Sequence, residues 1–180
     1  MSDSTSIIAV ATIVTALGAI ASAYYARKAI GQQQANFDRQ ITEYKLALYA
    51  ETILRFEGRF NDPSFKKTRS MAASALLNKR DEDQAEDVFD FFETVGLFVK
   101  LGALTDEIAY SVFFHWVNLY WKAGKHHIGS KQQEAAALWG DFESLYKSMC
   151  EIERRGHADS DDLKMPDTRL RQELQEETEL

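Results

Sequence analysis

The sequence predicts an all-α chain in which an N-terminal transmembrane helix continues into a small cytoplasmic helical bundle built around an antiparallel helical hairpin. Three observations carry this expectation. The 180 residues include only two prolines and nine glycines, with no alternating apolar run of the kind a half-buried strand needs. Residues 7–26 carry no charged side chain, and at about 1.5 Å per residue such a helix spans roughly the 30 Å of bilayer hydrocarbon. Within residues 88–121, apolar side chains recur every three or four positions in two segments, the period of helices that each bury one face.

Composition narrows the function classes. Apolar content of 45% and charged content of 27% are those of a folded globular chain. The single cysteine, Cys150, has no internal partner for a disulfide and reads as a small buried apolar residue. Charge is unevenly spread: residues 1–80 hold 11 basic and 6 acidic side chains (net +5), and residues 81–180 hold 10 and 22 (net −12). The acidic part argues against nucleic acid as a partner, whereas the basic part suits an anionic membrane lipid surface.

Taken in order, residues 1–6 form a tail without a basic side chain. A cleaved signal peptide would need one, although Ala21-Ser22-Ala23 resembles a cleavage site. Arg27 and Lys28 follow the apolar run, which places the cytoplasm after it. The expected arrangement is therefore a single pass with the C-terminal domain cytoplasmic and Arg27 and Lys28 at the lipid headgroups. Within the span, Ala19 and Ala23 continue a ridge of small residues from Ala11 and Thr15, and Gly18 and Ser22 form a second ridge beside it. Close backbone approach along such ridges drives association in lipid, which predicts a homo-oligomer, a dimer favoured.

Residues 27–60 read as a juxtamembrane helix. Ile30, Gln34, Phe37, Ile41, Tyr44 and Leu48 alternate in steps of four and three, a coiled-coil-like seam. Glu51 and Arg55 break the register, and Ile53, Phe56 and Phe60 define a shifted face. The segment is expected to pack along its own domain, with an intermolecular stalk as the alternative.

Residues 61–156 are expected to be the bundle. Asp62 caps and Pro63 starts a helix with Phe65, Ala72 and Leu76 inward. Its outer side carries Lys66, Lys67 and Arg69, a solvated face or, near a membrane, a set of headgroup contacts. In the hairpin, Gly102 stops the first helix and Thr105 caps the second, with Asp106 and Glu107 at its positive end. Gly124 and Gly129 are read as bracketing a loop. It contains His126 and His127, adjacent residues that point apart and chelate poorly. Ser130 with Gln133 forms a capping box for a last helix with Ala135, Leu138, Phe142, Leu145, Met149 and Ile152 on one face. Residues 157–180 hold eight acidic and three basic side chains and no aromatic one, which predicts a disordered acidic tail, with a frayed helix from Asp167.

The stretches RFNDPSFKKTR, VFDFFETVGLFVKLGALTDEIAYSVFFHWVNLYW and LWGDFESLY resemble an uncharacterised bacterial domain-of-unknown-function family. Its members join an N-terminal membrane helix to a small helical domain. Phe91, Phe92, Glu93, Gly96, Gly102, Tyr120 and Trp121 match its signature. The resemblance implies this architecture, with the span in the bacterial inner membrane, and supplies no activity.

Glu93 and His115 are the polar residues to weigh inside the hairpin. Counting from a turn centred on Leu104 places them at one height, as a structural polar pair satisfying each other in an apolar core. No phosphate loop, nucleophile elbow, zinc helix motif or cysteine cluster accompanies them, so no enzyme, cofactor or metal is expected. The function expected is a membrane-tethered helical scaffold or sensor acting through a protein partner the sequence does not name. The alternatives are a membrane-perturbing effector of a bacterial stress or phage-defence system and a cryptic enzyme using Glu93 and His115. The orientation is testable: a reporter fused after Leu180 should be active in the cytoplasm, and periplasmic activity would reverse the topology.

Overall fold

The computed structural model describes residues 3–157 and 160–180, with side chains described for Ser22, 27–34, 36–157 and 160–180. Among the described residues there are helices and no strand. The chain divides into two units, residues 1–47 and 48–180. Helix α1 (Asp3–Phe60) begins in the first and ends in the second. No helix of the described residues is long and apolar enough to cross a membrane. The side chains of residues 7–21 and 23–26, on which the predicted span and the small-residue ridges of Gly18, Ala19 and Ala23 rest, lie outside the described ones.

The seam positions of α1 are exposed. Ile30, Phe37 and Tyr44 are 63%, 61% and 72% exposed, and Ile41 and Leu48 about 40%. Beyond Leu48 the apolar face shifts, as the register break predicts, to Ile53, Phe56 and Phe60, which join the core of the second unit.

The second unit is a bundle built on α2 (Pro63–Asn78), α3 (Glu86–Lys100), α4 (Asp106–Glu134) and α5 (Gly140–Gly156), with the short α6 (Asp161–Lys164) and α7 (Asp167–Glu177) closing it. Several starts and stops are those expected. Asp62 accepts the Ser64 amide proton at 2.8 Å, and Pro63 occupies the first turn. Gly102 adopts φ +70°, the left-handed conformation glycine reaches without Cβ strain. Thr105 Oγ1 accepts from the Ile108 amide at 3.3 Å. The hairpin is antiparallel: Phe91 and Phe92 meet Phe113, while Phe89, nearer the start of α3, meets His127 near the end of α4.

Two boundaries differ from expectation. Helix α4 runs straight through Gly124, His126, His127 and Gly129 to Glu134, so there is no loop there and no helix start at Ser130. Gly124 is present for packing: a Cβ on it would lie 2.4 Å from Cζ of Phe89. The last core helix begins instead at Gly140, after Trp139 turns the chain at φ +54°. Four positions on one side of α3 receive that start. Trp139 Nε1 donates to Asp90 Oδ1 (2.7 Å), the Phe142 amide donates to Glu93 Oε2 (2.7 Å), and Lys100 Nζ pairs with Asp141 Oδ1 (2.7 Å). Between them, Gly96 admits the Asp141 carbonyl, which would lie 2.3 Å from a Cβ. Gly96 thus serves close helix approach.

The C-terminal stretch is ordered where it is described, which corrects the expectation of a disordered tail. Helix α7 begins at Asp167 and buries Leu174 and Glu177 against α2 and α4. Burial of Glu177 is explained by Arg69, itself 2% exposed, whose Nε lies 3.0 Å from Glu177 Oε1. Arg69 is consequently not on a lipid-facing surface. Its guanidinium sits 3.8 Å over the Phe60 ring and 4.9 Å from that of Trp116. The Nε–H is out of line for a hydrogen bond and Nη1 has no partner, so the stacked rings and the facing charge supply what water no longer does. Tyr120 Oη lies 3.3 Å from both the Arg69 carbonyl and Glu177 Oε1. Burial lowers the Arg69 pKa and raises that of Glu177, each partly countered by the other's charge.

Removing one member of a buried ion pair strands the other and costs about 3–5 kcal/mol, whereas replacing both with apolar groups is close to neutral. Glu177→Leu should therefore lower unfolding free energy by about that amount, and Arg69→Met combined with Glu177→Leu should restore most of it. Denaturant titration of the full chain checks this; a single variant as stable as the parent would show that α7 docking does not depend on the pair.

Candidate functional site

Between the C-terminal halves of α2 and α4 and helix α7 lies a groove of about 1010 Å³. Its floor is aliphatic: Leu76 and Leu77 from α2, Ala123 from α4, and Leu170 and Leu174 from α7. Its rim is cationic. Lys79, Lys125 and Arg171 line it, all exposed, and none takes part in an ion pair among the described residues. The contrast with Arg169 is direct, since that side chain, two residues away, is held by Asp162 (2.5 Å) and Glu173 (2.7 Å). Lys122 also lines the groove, but its ammonium donates to the carbonyls of Asp162 (3.0 Å) and Leu163 (2.8 Å), and burial lowers its pKa. Glu82 and Asp167 are the acidic members of the lining.

A second polar cluster ties the 3₁₀ turn Glu82–Ala85 to α4. His127, buried between Phe89 and Trp139, has Nε2 3.1 Å from Glu86 Oε1 and 3.7 Å from Asp83 Oδ1, and Nδ1 3.7 Å from Glu82. Donor atoms of Asp83, Glu86 and His127 lie within 4.8 Å of one another, close enough to share a cation. Lys131 already supplies one: its Nζ is 3.0 Å from Asp83 and 2.9 Å from Glu86. Hydrogen bonds to those carboxylates raise the Lys131 pKa, and the bond to Lys131 lowers that of Asp83. The cluster works as an ionic clasp.

Glu93 and His115 do not meet. Glu93 caps the first amides of α5, while His115 is exposed, its ring edge-on to Trp116. The two side chains diverge because Glu93 lies on the face of α3 turned to α5. The catalytic pairing considered for these two residues is thus not assembled. Among the predicted headgroup contacts, Arg27, Lys28 and Lys67 are exposed and Lys66 is half-buried, in contrast to Arg69.

A buried carboxylate missed in the sequence is Glu153 on α5. It accepts a short hydrogen bond from Tyr110 Oη on α4, and His157 Nδ1 lies 3.5 Å from it. Burial pushes the Glu153 pKa up, but hydrogen bonds from Ser160 and Tyr110 outweigh it and leave the carboxyl below its usual range. Tyr110 is raised to about 12, first by that same hydrogen bond. The i+43 separation of Tyr110 and Glu153 leaves no local pattern by which to pair them.

A family model for a domain of unknown function, DUF4760, matches residues 6–149. The chain belongs to this family. No curated protein and no solved structure matches it. The DUF4760 match takes in α1 from residue 6, α2, α3, α4 and α5 as far as Met149, and stops before α6 and α7. One wall of the groove and the partner of Arg69 therefore lie beyond the matched segment.

The Tyr110–Glu153 bond has a defined pH signature. Glu153 is lowered in the fold, so its contribution is present above the ordinary carboxylate pKa and disappears as pH falls through the depressed value. Tyr110 is raised, so its contribution holds below the ordinary tyrosine pKa and disappears as pH rises through about 12. Tyr110→Phe should cost about 1.5–3 kcal/mol at neutral pH, a difference that narrows in acid. Equal destabilisation at pH 7 and in strong acid would show that the charged bond is not the cause.

Proposed function

We propose that this DUF4760 chain is a membrane-tethered helical scaffold or sensor that works as a parallel homodimer joined along α1. The observation that carries the reading is the uncovered seam: Ile30, Phe37, Ile41, Tyr44 and Leu48 repeat at heptad spacing and stay exposed. Apolar positions every 3.5 residues along one helix match a second helix of the same kind in register, since each knob then finds a hole four residues wide. Isolated exposed apolar residues need no partner, but a continuous periodic row of them on a helix does. The uncharged run at residues 7–26, followed by exposed Arg27 and Lys28, supports an inner-membrane anchor with the bundle in the cytoplasm. Gly18, Ala19, Ser22 and Ala23 would carry the same contact into the bilayer. On this reading the domain binds and reports, with no turnover, and the work of the bundle is to hold a surface in place for a partner.

The test uses the full chain in native membranes. Ile41→Cys should give a disulfide-linked dimer on mild oxidation. Adding Phe37→Glu should abolish it, because a carboxylate at a seam position has no water on the dimer axis. Gly18→Leu with Ser22→Leu should weaken the dimer while leaving the chain resistant to alkaline extraction. A chain that extracts with carbonate defeats the anchor, and one that stays in the membrane without crosslinking defeats the seam.

A further inference from the structure

We infer that the groove between α2, α4 and α7 is a binding site for a small phosphate-bearing molecule with a neutral, hydrogen-bonding body, of the nucleotide class. This goes beyond the scaffold reading and does not require dimerisation.

The charge at the groove runs against its surroundings. Residues 81–180 carry 10 basic and 22 acidic side chains, net −12. Yet the groove draws together Lys79, Lys122, Lys125 and Arg171, opposed by Glu82 and Asp167 alone. Three of the four ammonium or guanidinium groups are exposed and free of ion pairs among the described residues, although acidic side chains are abundant in this half of the chain. Cations left uncompensated around a concave surface favour an anion, and apolar walls under them strengthen the attraction by reducing water contact.

The lining of α4 also has a direction. Lys122, Lys125 and His126 come first, Gly129 follows, and Ser130 and Gln133 come last. At about 1.5 Å per residue the lined stretch is about 16 Å long, and its own charged side chains fall at the Lys122–Lys125 end, while Lys79 and Glu82 border the groove from α2 and the 3₁₀ turn. The far end offers a hydroxyl and an amide, which donate and accept hydrogen bonds to neutral polar edges. The aliphatic floor suits the face of a planar ring, and these exposed polar groups suit its edges. A volume of about 1010 Å³ stands at the upper end of small-molecule sites, enough for a nucleoside phosphate. Gly129 keeps the middle clear, since a Cβ there would touch nothing within 4 Å.

The experiment is calorimetric titration of the full chain in lipid nanodiscs with the four common ribonucleoside monophosphates and triphosphates. The corresponding nucleosides, inorganic phosphate and dodecyl phosphate serve as comparisons. The expected result is saturable binding, one ligand per chain, by at least one nucleotide, weakening as salt rises. The matching nucleoside and inorganic phosphate should each bind at least tenfold more weakly. Lys125→Ala and Arg171→Ala should each weaken that nucleotide at least tenfold. Gly129→Leu should block it while preserving the helical signal and melting temperature. Inorganic phosphate binding as tightly as any nucleotide would overturn the requirement for a body, and dodecyl phosphate alone binding would assign the groove to a lipid headgroup. Binding unaffected by all three substitutions would move the site elsewhere, and no saturable binding by any nucleotide would refute the inference.

Discussion

The second unit depends on how closely α5 can approach α3. Asp90, Glu93, Gly96 and Lys100 lie three or four residues apart and make one continuous receiving edge. Each takes a different part of the α5 start: an indole N–H, a backbone amide, a carbonyl and a carboxylate. The free amides of a helix start must find acceptors, and Glu93 supplies one from a neighbouring helix. Only with α5 seated this closely does Phe142 reach between Phe89 and Phe92, at ring distances of 6.0 and 5.3 Å, and fill the middle of the core.

A second constraint acts from the opposite side of the core. Phe60 lies against Phe65, Phe91, Phe92, Phe113 and Trp116, and the Arg69 guanidinium covers its remaining face. An arginine in that position exchanges hydration for ring faces and one carboxylate. Such an arrangement specifies one docking of α7 more than it adds stability, because the desolvation of both charges offsets most of their attraction. The apolar contacts of Leu174 make the helix adhere, and Glu177 determines where.

Local physics was legible in the sequence wherever one side chain acts on its own neighbours. The Asp62 and Thr105 caps, the Gly102 turn, the buried face of α3 and the shift of the apolar face at Ile53 all follow from spacing and residue type. What escaped was tertiary. Glycines at 124 and 129 look like breakers, but Gly124 is the seat of Phe89, and a helix stabilised by packing tolerates a glycine that costs it only about 1 kcal/mol. Arg69 looks like part of a solvated charge row until Glu177, 108 positions later, is brought to it. The acidic C-terminal composition was read correctly as poor in core-forming residues, yet two buried side chains on α7 and one ion pair are enough to order it against an existing surface. The groove was hidden for the same reason: His126 belonged to a supposed loop and Arg171 to a supposed tail.

Helix α7 has two attachments that share one free energy. It carries Glu177 to Arg69, and with Leu170, Arg171 and Leu174 it forms a wall of the groove. Any molecule held between that wall and α4 binds only while α7 is docked, so its binding energy is added to the docking equilibrium by mass action. The reverse follows by reciprocity: whatever loosens α7 lowers affinity in the groove by the same factor. The C-terminal helix is in this sense a gauge, whose degree of attachment registers how full the groove is.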